Sequence, residues 1–290
     1  MSFTRDIADY PEGIVLAIDK PYRWTSADVI RKLKYAAIRH FGKKNLKVGH
    51  AGTLDPLATG VLLVCIGNAC KRAQELQDHD KEYIAHIRFG ATTPSYDLEK
   101  EVDRTFPFAH ISADAIRAVL PRFLGEQEQV APLFSAKSVD GVRAYELARK
   151  LYKAAQRAPV IPGSDRESQF GSDRESQFDS AALQTLHRSR IVISELELLD
   201  FVSKVGAVVP ASSQSSASAR IHVADTSALG LPEATVRIAC SKGTYIRAFA
   251  RDLGEALGSG AHLSGLIRSR SGDYRLADAL SVEQALALFQ

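Results

Sequence analysis

Four apolar segments of the chain show the patterns of β-strands. Two are uninterrupted apolar runs of the length of a buried strand, and two alternate between apolar and polar residues, which is typical of strands with one face on a core. The uninterrupted runs lie at residues 13–18 and 61–66, and the alternating ones at 82–89 and 233–240. The alternation places Tyr83 at the start of its strand, on the apolar face.

Apolar residues at helical spacing appear between these strands. The clearest helix covers residues 27–40, after a cap at Thr25 or Ser26, and Val29 and Leu33 lie on its inner face. Other helices are expected at residues 69–77, 113–124, 143–155, 244–254 (closed by a glycine) and, after a capping box, from 281 to 289. Strands with interspersed helices predict an α+β fold: a mixed, mainly antiparallel sheet flanked by helices.

Two polar segments interrupt this order of elements. The octapeptide GSDRESQF occurs at residues 163–170 and again, unchanged, at 171–178, so we expect a disordered surface insertion at about 160–182. A stretch rich in serine and alanine predicts an exposed excursion at about 205–232. Since the composition does not change beyond either segment, the sequence predicts a single domain over residues 1–290.

Composition changes the picture only by exclusion. With 45% hydrophobic and 24% charged residues, the chain has the composition of a soluble globular protein. Its first residues contain no apolar region of a secretory signal, and the apolar run at 61–66 is too short to span a bilayer, so we expect a cytoplasmic protein without membrane association. Three cysteines and eight scattered histidines lack metal-ligand spacing, which predicts no disulfide framework and no metal site.

The formal net charge is only +3, but the positive charge is concentrated in two clusters. Residues 31–50 contain seven Lys or Arg and no acid, and residues 236–275 contain seven against three acids. Such clusters bind phosphates or simply form solvated helix faces, and the pattern favours neither.

One loop contains a single carboxylate among glycine, threonine and proline. This loop is GHAGTLDPLATG, residues 49–60, and its carboxylate is Asp55. Asp followed by Pro commonly begins a turn in which the side chain bonds its own backbone, and local sequence favours this interpretation. Three glycines in twelve residues also indicate unusual dihedral angles or the close approach of another group, which is the functional alternative.

Several separate blocks, in one order, resemble the TruB-type tRNA pseudouridine synthases. The blocks are DKP at 19–21 with WTS at 24–26, the segment 48–60, KEY at 81–83, Gln129 with Pro132 and FSAK at 134–137, RAY at 143–145, GTYIR at 243–247 and GAHL at 260–263. The resemblance implies the pseudouridine synthase catalytic fold and isomerisation of a uridine in the TΨC loop of tRNA, at tRNA position 55. It also implies a monomer that recognises the T-arm with no cofactor and no obligate protein partner.

The resemblance assigns three residues to catalysis. Asp55 is implied to be the nucleophile, which attacks either C6 of the base or C1′ of the ribose, and Arg247 its partner. A carboxylate nucleophile must be ionised, and a neighbouring guanidinium favours the ionised form. Tyr83 is implied to pack on the target base, with a hydroxyl that helps to move the C5 proton.

Four further residues are implied to contact the substrate. His50 would be a wedge or stacking group, and Asp97 would have a structural or RNA-orienting role. Leu266 would line the pocket, although a leucine in a helical stretch fits core packing nearly as well. Lys20, in the first block, is implied as a fourth contact. The two basic clusters would meet phosphates of the RNA.

The chain also departs from the family pattern. Arg23 occupies a position that is usually Gly, and Cys70 one that is usually Thr. The GSDRESQF duplication lies where family members have an RNA-facing subdomain, and no residues remain after Gln290 for the C-terminal PUA module of many relatives. We therefore expect the catalytic domain alone to hold the RNA. Two alternatives stay open: the same reaction on another RNA, and a noncatalytic RNA-binding protein on the same scaffold.

Overall fold

The structure is a computed structural model of the chain, and it describes residues 2–132, 138–139, 142–143, 188–205 and 221–290. Contacts group the chain into two compact units, one formed by residues 1–127 with 191–290 and the other by residues 128–190. The insertion expected at 160–182 lies outside the described residues, as does the helix expected at 143–155 apart from its first residue, which ends a strand. The single domain over residues 1–290 stays a prediction.

The described residues contain thirteen strands and five α-helices. The strands are β1 (Ile14–Lys20), β2 (Val48–His50), β3 (Ala58–Ile66), β4 (Lys81–Phe89), β5 (Ala91–Thr92), β6 (Arg104–Thr105), β7 (Gly125–Val130), β8 (Ser138–Val139), β9 (Val142–Arg143), β10 (Arg188–Val202), β11 (Glu233–Cys240), β12 (Ala261–Ser271) and β13 (Tyr274–Arg275). The helices are α1 (Ser26–Phe41), α2 (Ala73–Asp78), α3 (Ala113–Val119), α4 (Ile246–Ala256) and α5 (Val282–Ala287).

A nine-stranded sheet has the strand order β1-β3-β12-β4-β11-β10-β7, with β2 paired to β3 and β13 to β12. Strand β12 runs parallel to β3, whereas β1–β3, β4–β12, β4–β11 and β10–β11 are antiparallel. This topology confirms the prediction of a mixed, mainly antiparallel sheet with helices. The parallel contact, between residues 58–60 and 266–268, brings distant parts of the chain together at the start of β3.

The strand patterns follow the expected burial. Strand β3 is buried at every residue but one, and β4 alternates buried and half-buried residues along its whole length. Strand β12 was expected to be helical around Leu266, and that prediction is wrong. Residues 261–271 pair with β4 along most of their length and with β3 near the middle, so pairing on both edges decides the conformation of a short apolar run that periodicity alone leaves ambiguous.

Helix α1 forms as the sequence predicts. Thr25 and Asp28 make a capping box at its start, Val29, Leu33 and Ala37 are buried, and Gly42 ends it with a φ of +61°. The capping box before α5 is present as well. The helices expected at 69–77 and 113–124 are shorter than predicted, because 3₁₀ turns at Gly67–Arg72 and Leu120–Phe123 replace part of each.

The helix expected at 244–254 needs two corrections. It begins after Tyr245, whose side chain makes no capping bond, and it continues through Gly254 to Ala256. Gly254 is a buried interior residue, and a Cβ there would lie 2.6 Å from the Ala261 backbone nitrogen. The glycine therefore allows α4 and β12 to approach closely, and it does not end the helix.

The exposed excursion expected at about 205–232 is packed at both of its described ends. Val205 donates its backbone N–H to Leu231 O at 3.1 Å, and Ala224 donates to Leu98 O at 2.8 Å. Val205, Ala224 and Leu231 are buried. Other residues of these ends, such as His222, Asp225 and Leu229, are exposed, so the described ends are partly packed and partly exposed. Residues 206–220 lie outside the described part of the chain.

Candidate active site

Asp55 begins a turn with its backbone and pairs with Arg247 through its side chain. The Ala58 N–H donates to Asp55 O at 3.1 Å, which closes the turn between β2 and β3 through the backbone. The carboxylate faces Arg247, whose Nε donates to Oδ2 at 2.9 Å and whose Nη2 donates to Oδ1 at 3.2 Å. The turn that the Asp-Pro sequence predicts is therefore present, but the backbone carbonyl of Asp55 closes it, and the side chain bonds Arg247 and not its own backbone.

Arg247 lies in the first turn of α4 and is only 5% exposed. Besides the fork on Asp55, its Nη1 donates to Ser95 O at 3.2 Å, and its Nε lies 3.7 Å from Asp97 Oδ2. Burial lowers the pKa of Arg247, but the charges of Asp55 and Asp97 outweigh it and raise the pKa overall. A buried cation with this set of partners is held in one place.

Asp97 holds the other side of this ion pair. It is buried, and its Oδ1 accepts hydrogen bonds from Ser95 Oγ at 2.6 Å and from the Glu99 N–H at 2.9 Å. Burial raises the pKa of Asp97, and Arg247 opposes that shift only in part. The preceding Tyr96 has a φ of +56°, in the left-handed region that non-glycine residues rarely occupy, and such strain concentrates at functional sites.

Tyr83 lies in β4 with its side chain almost entirely buried. Its strand neighbours are Ile238 of β11 and Arg268 of β12. Burial raises the pKa of the hydroxyl, the positive charge of Arg268 acts against that shift, and the charge of Asp55 adds to it. The strand position expected for Tyr83 is confirmed, and its hydroxyl is within the electrostatic reach of the Asp55 carboxylate.

A small cavity opens beside the ion pair. It is lined by Asp55, Leu57, Ala58, Asp97, Arg247, Leu263, Ser264, Gly265 and Leu266. The Asp55 side chain is 38% exposed, so its carboxylate remains accessible from this cavity. A larger cavity of about 260 Å³, between residues 117–124 and 196–198, contains none of the predicted site residues. The position of the carboxylates therefore makes the smaller cavity the candidate site.

Lys20 and His50 take different places from those of the cavity residues. Lys20 is fully buried, and its Nζ donates to Pro21 O at 2.9 Å, Trp24 O at 2.6 Å and Pro56 O at 3.2 Å. Burial lowers its pKa to about 7. Lys20 thus bonds the Asp55 loop from the protein interior, through Pro56 O, and does not line the cavity. His50 ends β2, half-buried, and burial followed by the charge of Arg268 lowers its pKa.

Arg268 is a site residue that the sequence analysis missed. It is 1% exposed, and its guanidinium donates to backbone carbonyls on both sides of Asp55. It was counted in the second basic cluster, as a group that could bind phosphate. Because a helical stretch was expected here, the sequence offered no signal: only the strand conformation of β12 shows that Leu266 and Arg268, two residues apart, share one face.

The two basic clusters differ once folded. In the second, Arg247 and Arg268 are buried, Arg237 is paired with Glu82, Glu195 and Glu197, and Arg251 with Asp252. Most of that charge is therefore used inside the fold. In the first, all seven cations are exposed, and Arg31 pairs with Asp28. We call this set the α1 basic surface: Arg31, Lys32, Lys34, Arg39, Lys43, Lys44 and Lys47.

Comparison with known proteins decides the family. The model of the TruB family pseudouridylate synthases (N-terminal domain) matches residues 39–161. The chain is 46% identical over 275 residues to tRNA pseudouridine synthase B of Phocaeicola vulgatus, which covers 95% of this chain and 92% of that protein. The chain belongs to the TruB family of pseudouridylate synthases. Membership of this isomerase family confirms the resemblance on which the site residues were chosen.

Other relatives agree with this assignment. This TruB family member is 46% identical over 277 residues to tRNA pseudouridine synthase B of Bacteroides thetaiotaomicron, covering 95% of the chain and 92% of that relative. It is 37% identical over 273 residues to the protein of that name from Deinococcus radiodurans, covering 93% and 77%.

Two solved structures have the same fold as this chain. One is described as the crystal structure of the archaeal box H/ACA sRNP Nop10-Cbf5 complex, with a TM-score of 0.54 and 20% identity over 99% of this chain. Another is a Cbf5-Nop10-Gar1 complex, with a TM-score of 0.56 and 21% identity over 97% of this chain. The TruB family chain spans only 57% and 56% of those chains. At this identity the likeness shows the fold alone.

The described residues contain neither a membrane-spanning helix nor a cluster of metal ligands. No helix in that part of the TruB family chain has the length and apolar character to cross a bilayer. Within the same residues, no three His, Cys, Asp or Glu side chains are grouped as metal ligands.

Proposed function

We propose that this TruB family member is a tRNA pseudouridine synthase that isomerises the TΨC-loop uridine, with Asp55 as nucleophile and without a cofactor. The observation that carries this proposal is the fork between Asp55 and the buried Arg247, at 2.9 and 3.2 Å, beside a cavity that leaves the carboxylate 38% exposed. The curated relatives are named tRNA pseudouridine synthase B, which supports tRNA as the substrate.

The reaction needs a carboxylate that is ionised, accessible and fixed. Asp55 attacks either C6 of the uracil or C1′ of the ribose, the bond between N1 and C1′ breaks, and the base turns. A bond then forms between C5 and C1′, and the bond to Asp55 breaks, which regenerates the carboxylate. C5 loses its proton and N1 gains one, so the product is an isomer. The two bonds from Arg247 hold the carboxylate in one orientation.

We assign the remaining residues by their positions around this pair. Tyr83 packs on the turned base, and because burial raises its pKa, its hydroxyl stays protonated at neutral pH. Leu266 lines the cavity as an apolar wall, and Asp97 is a second carboxylate beside Arg247, 3.7 Å from the Nε that donates to Asp55. His50 serves as a stacking or wedge group at the end of β2. Lys20 acts through the loop and not through the substrate.

The α1 basic surface is the place where we expect the RNA backbone to bind. Its seven cations lie along the exposed face of α1 and the segment that leads to β2 and His50. None of Lys34, Arg39, Lys43, Lys44 and Lys47 has a carboxylate within 4 Å among the residues that the structure describes. Charges of one sign, exposed and largely unpaired, fit a polyanion whose target base must leave its loop. The monomeric state and cytoplasmic location stay predictions.

The proposal is tested by proton release from C5. In vitro transcribed tRNA with tritium at uridine C5 is incubated with the wild-type protein, with Asp55→Asn and with Asp273→Asn, a control at an exposed carboxylate. We expect the wild type and the control to release tritium from the TΨC-loop uridine. Asp55→Asn should lose about 10⁴-fold or more in rate while binding tRNA as before, since Asn keeps the shape but cannot act as the nucleophile.

Three other results would contradict parts of the proposal. Normal release by Asp55→Asn would exclude Asp55 as the nucleophile. Release from a different uridine would move the site within the tRNA. Binding without any release by the wild type would favour a noncatalytic RNA-binding protein or a different RNA substrate.

A further inference from the structure

Four backbone carbonyls around Asp55 point at two buried cations. The Asp55 loop, residues 51–57, lies between β2 and β3. Pro56 O accepts from Lys20 Nζ, while the Gly52, Thr53 and Val61 carbonyls accept from Arg268. Lys20 and Arg268 are 0% and 1% exposed, so both side chains are removed from water. Three of these carbonyls accept from Arg268, while Lys20 donates to Pro56 O and also to Pro21 O and Trp24 O. The loop is thus held from two directions while its carboxylate is held by Arg247.

Arg268 differs from Lys20 because it spans the loop. Its Nε donates to Val61 O at 2.6 Å, on the strand that leaves the loop, and its Nη2 donates to Gly52 O at 3.1 Å, on the segment that enters it. A longer contact of 3.5 Å joins Nη1 to Thr53 O. A planar guanidinium directs donors along two directions at once, which a lysine ammonium on a flexible stem does not.

The backbone of Arg268 is itself part of the sheet at this point. It pairs with Gly60 of β3 on one side and with Tyr83 of β4 on the other. A Cβ at Gly60 would collide with the Arg268 carbonyl, so the two strands can approach this closely only because residue 60 is glycine. Strand β12, which holds the loop through Arg268, is therefore fixed by β4, the strand that carries Tyr83. Strand β12 also carries Leu266, two residues before Arg268.

We propose that Arg268 is a positioning residue that sets the place of the Asp55 carboxylate by tying both sides of its loop to β12. This role goes beyond the proposed function, and it rests on that function only in treating Asp55 as the group whose place matters. Because a displacement of about 1 Å in an active site can cost about 100-fold in rate, a tie of this kind affects turnover without touching the RNA.

The test compares Arg268→Lys with Arg270→Lys. Both changes keep the positive charge on β12, but Arg270 is partly exposed and donates to Gly272 O, away from the Asp55 loop. For Arg268→Lys we expect kcat to fall about 100-fold, with KM and tRNA affinity unchanged. Amide hydrogen exchange should become faster within residues 51–57 and stay as in the wild type elsewhere. Arg270→Lys should match the wild type in every measurement.

Lysine is chosen because a stronger change would confuse the result. Arg268→Met leaves three carbonyls without a donor in the interior, and such groups cost about 1–3 kcal/mol each, so that variant tests folding instead of positioning. Wild-type kcat in Arg268→Lys would overturn the proposal. Faster exchange throughout the chain in Arg268→Lys would also overturn it, since Arg268 would then have a general structural role.

The exchange measurement separates this inference from the proposed function. If the wild type releases no tritium from any RNA tested, the proposed function fails. Faster exchange confined to residues 51–57 in Arg268→Lys would still support a positioning role for Arg268, and unchanged exchange there would still overturn it.

Discussion

At the scale of single residues, Arg23 shows what a departure from the family pattern means. Its φ is +62°, in the left-handed region where a Cβ is unfavourable, which fits the glycine that the resemblance implies at this position. Its backbone N–H donates to Pro56 O at 2.9 Å, next to Asp55, and its Nη2 donates to Ile221 O at 2.6 Å. The side chain thus contributes a bond that glycine could not, in a backbone conformation that suits glycine better.

We expect Arg23→Gly to be more stable than Arg23→Ala by about 1 kcal/mol. Both variants lose the bond to Ile221, so their difference isolates the cost of a Cβ in the left-handed region. Urea unfolding measures that difference. Lys34, exposed within α1, is the matched control, because there alanine should be the more stable replacement by about the same amount. Equal stability of Arg23→Gly and Arg23→Ala would contradict the claim that the left-handed backbone at this residue is strained by a Cβ.

The residues of the site were predictable to different extents. Local sequence predicted the turn at Asp55 and the strand position of Tyr83. The pairing of Asp55 with Arg247, 192 residues later, followed only from the resemblance, because no local pattern records a contact at that distance. Arg268 was missed for a related reason: an arginine in a basic cluster is ordinarily exposed, and its burial depends on carbonyls contributed by another part of the chain.

At the scale of elements, hydrophobic periodicity correctly predicted the helices and strands whose apolar residues face their packing partners. Strands β3 and β4 and helix α1 have the predicted type and nearly the predicted bounds, since their apolar patterns match the faces that they bury. Strand β12 was expected to be helical, and pairing with β3 and β4 overrides the weak local signal. Gly254 was predicted to end α4, because the close packing of this helix against β12 has no signature in the local sequence.

Gly254→Ala tests that packing. In an ordinary helix interior this change stabilises by about 1 kcal/mol. Here the new Cβ would lie 2.6 Å from the nitrogen and 2.8 Å from the Cβ of Ala261, so α4 must move and the protein should lose about 1–3 kcal/mol of unfolding free energy. Thermal or urea unfolding decides the sign. Glu255→Ala, exposed on the same helix, should change stability by less than about 0.5 kcal/mol.

Because α4 carries Arg247, the same substitution should lower turnover more than Glu255→Ala does. A gain in stability by Gly254→Ala with unchanged turnover would show that α4 and β12 tolerate the added methyl group. In that case the helix could separate from the strand without disturbing the ion pair.

At the scale of the whole molecule, charge is organised more simply in the fold than along the chain. The second basic cluster contributes buried or paired cations to the sheet and the site, whereas the α1 basic surface faces solvent. A net charge of +3 hides this difference. Affinity for a polyanion is therefore expected to depend on one face of the molecule.

Replacing Lys34, Lys43 and Lys44 together by alanine should weaken tRNA binding and leave kcat unchanged. Each phosphate contact contributes about 0.7–0.9 to the slope of log affinity against log salt concentration, so the slope should become shallower by about 2–3. Filter binding at several salt concentrations measures it. A control triple at exposed cations elsewhere, Lys71, Arg122 and Lys204 to alanine, should change the slope much less. Equal changes of the salt slope in the two triple variants would contradict the proposal that the α1 basic surface binds the RNA backbone.

The long sequence separations at the site also have a consequence in time. Asp55 precedes its partner Arg247 by 192 residues, and Gly52 precedes Arg268 by 216. At about 5–20 residues synthesised per second, the ribosome makes the second half of each contact roughly 10–40 s after the first. Throughout that interval a nascent chain can hold the Asp55 loop through Lys20, which is 36 residues from Pro56, but cannot yet complete the ion pair. The newly made protein therefore cannot form both long-range contacts of the Asp55 loop until β12 has emerged from the ribosome.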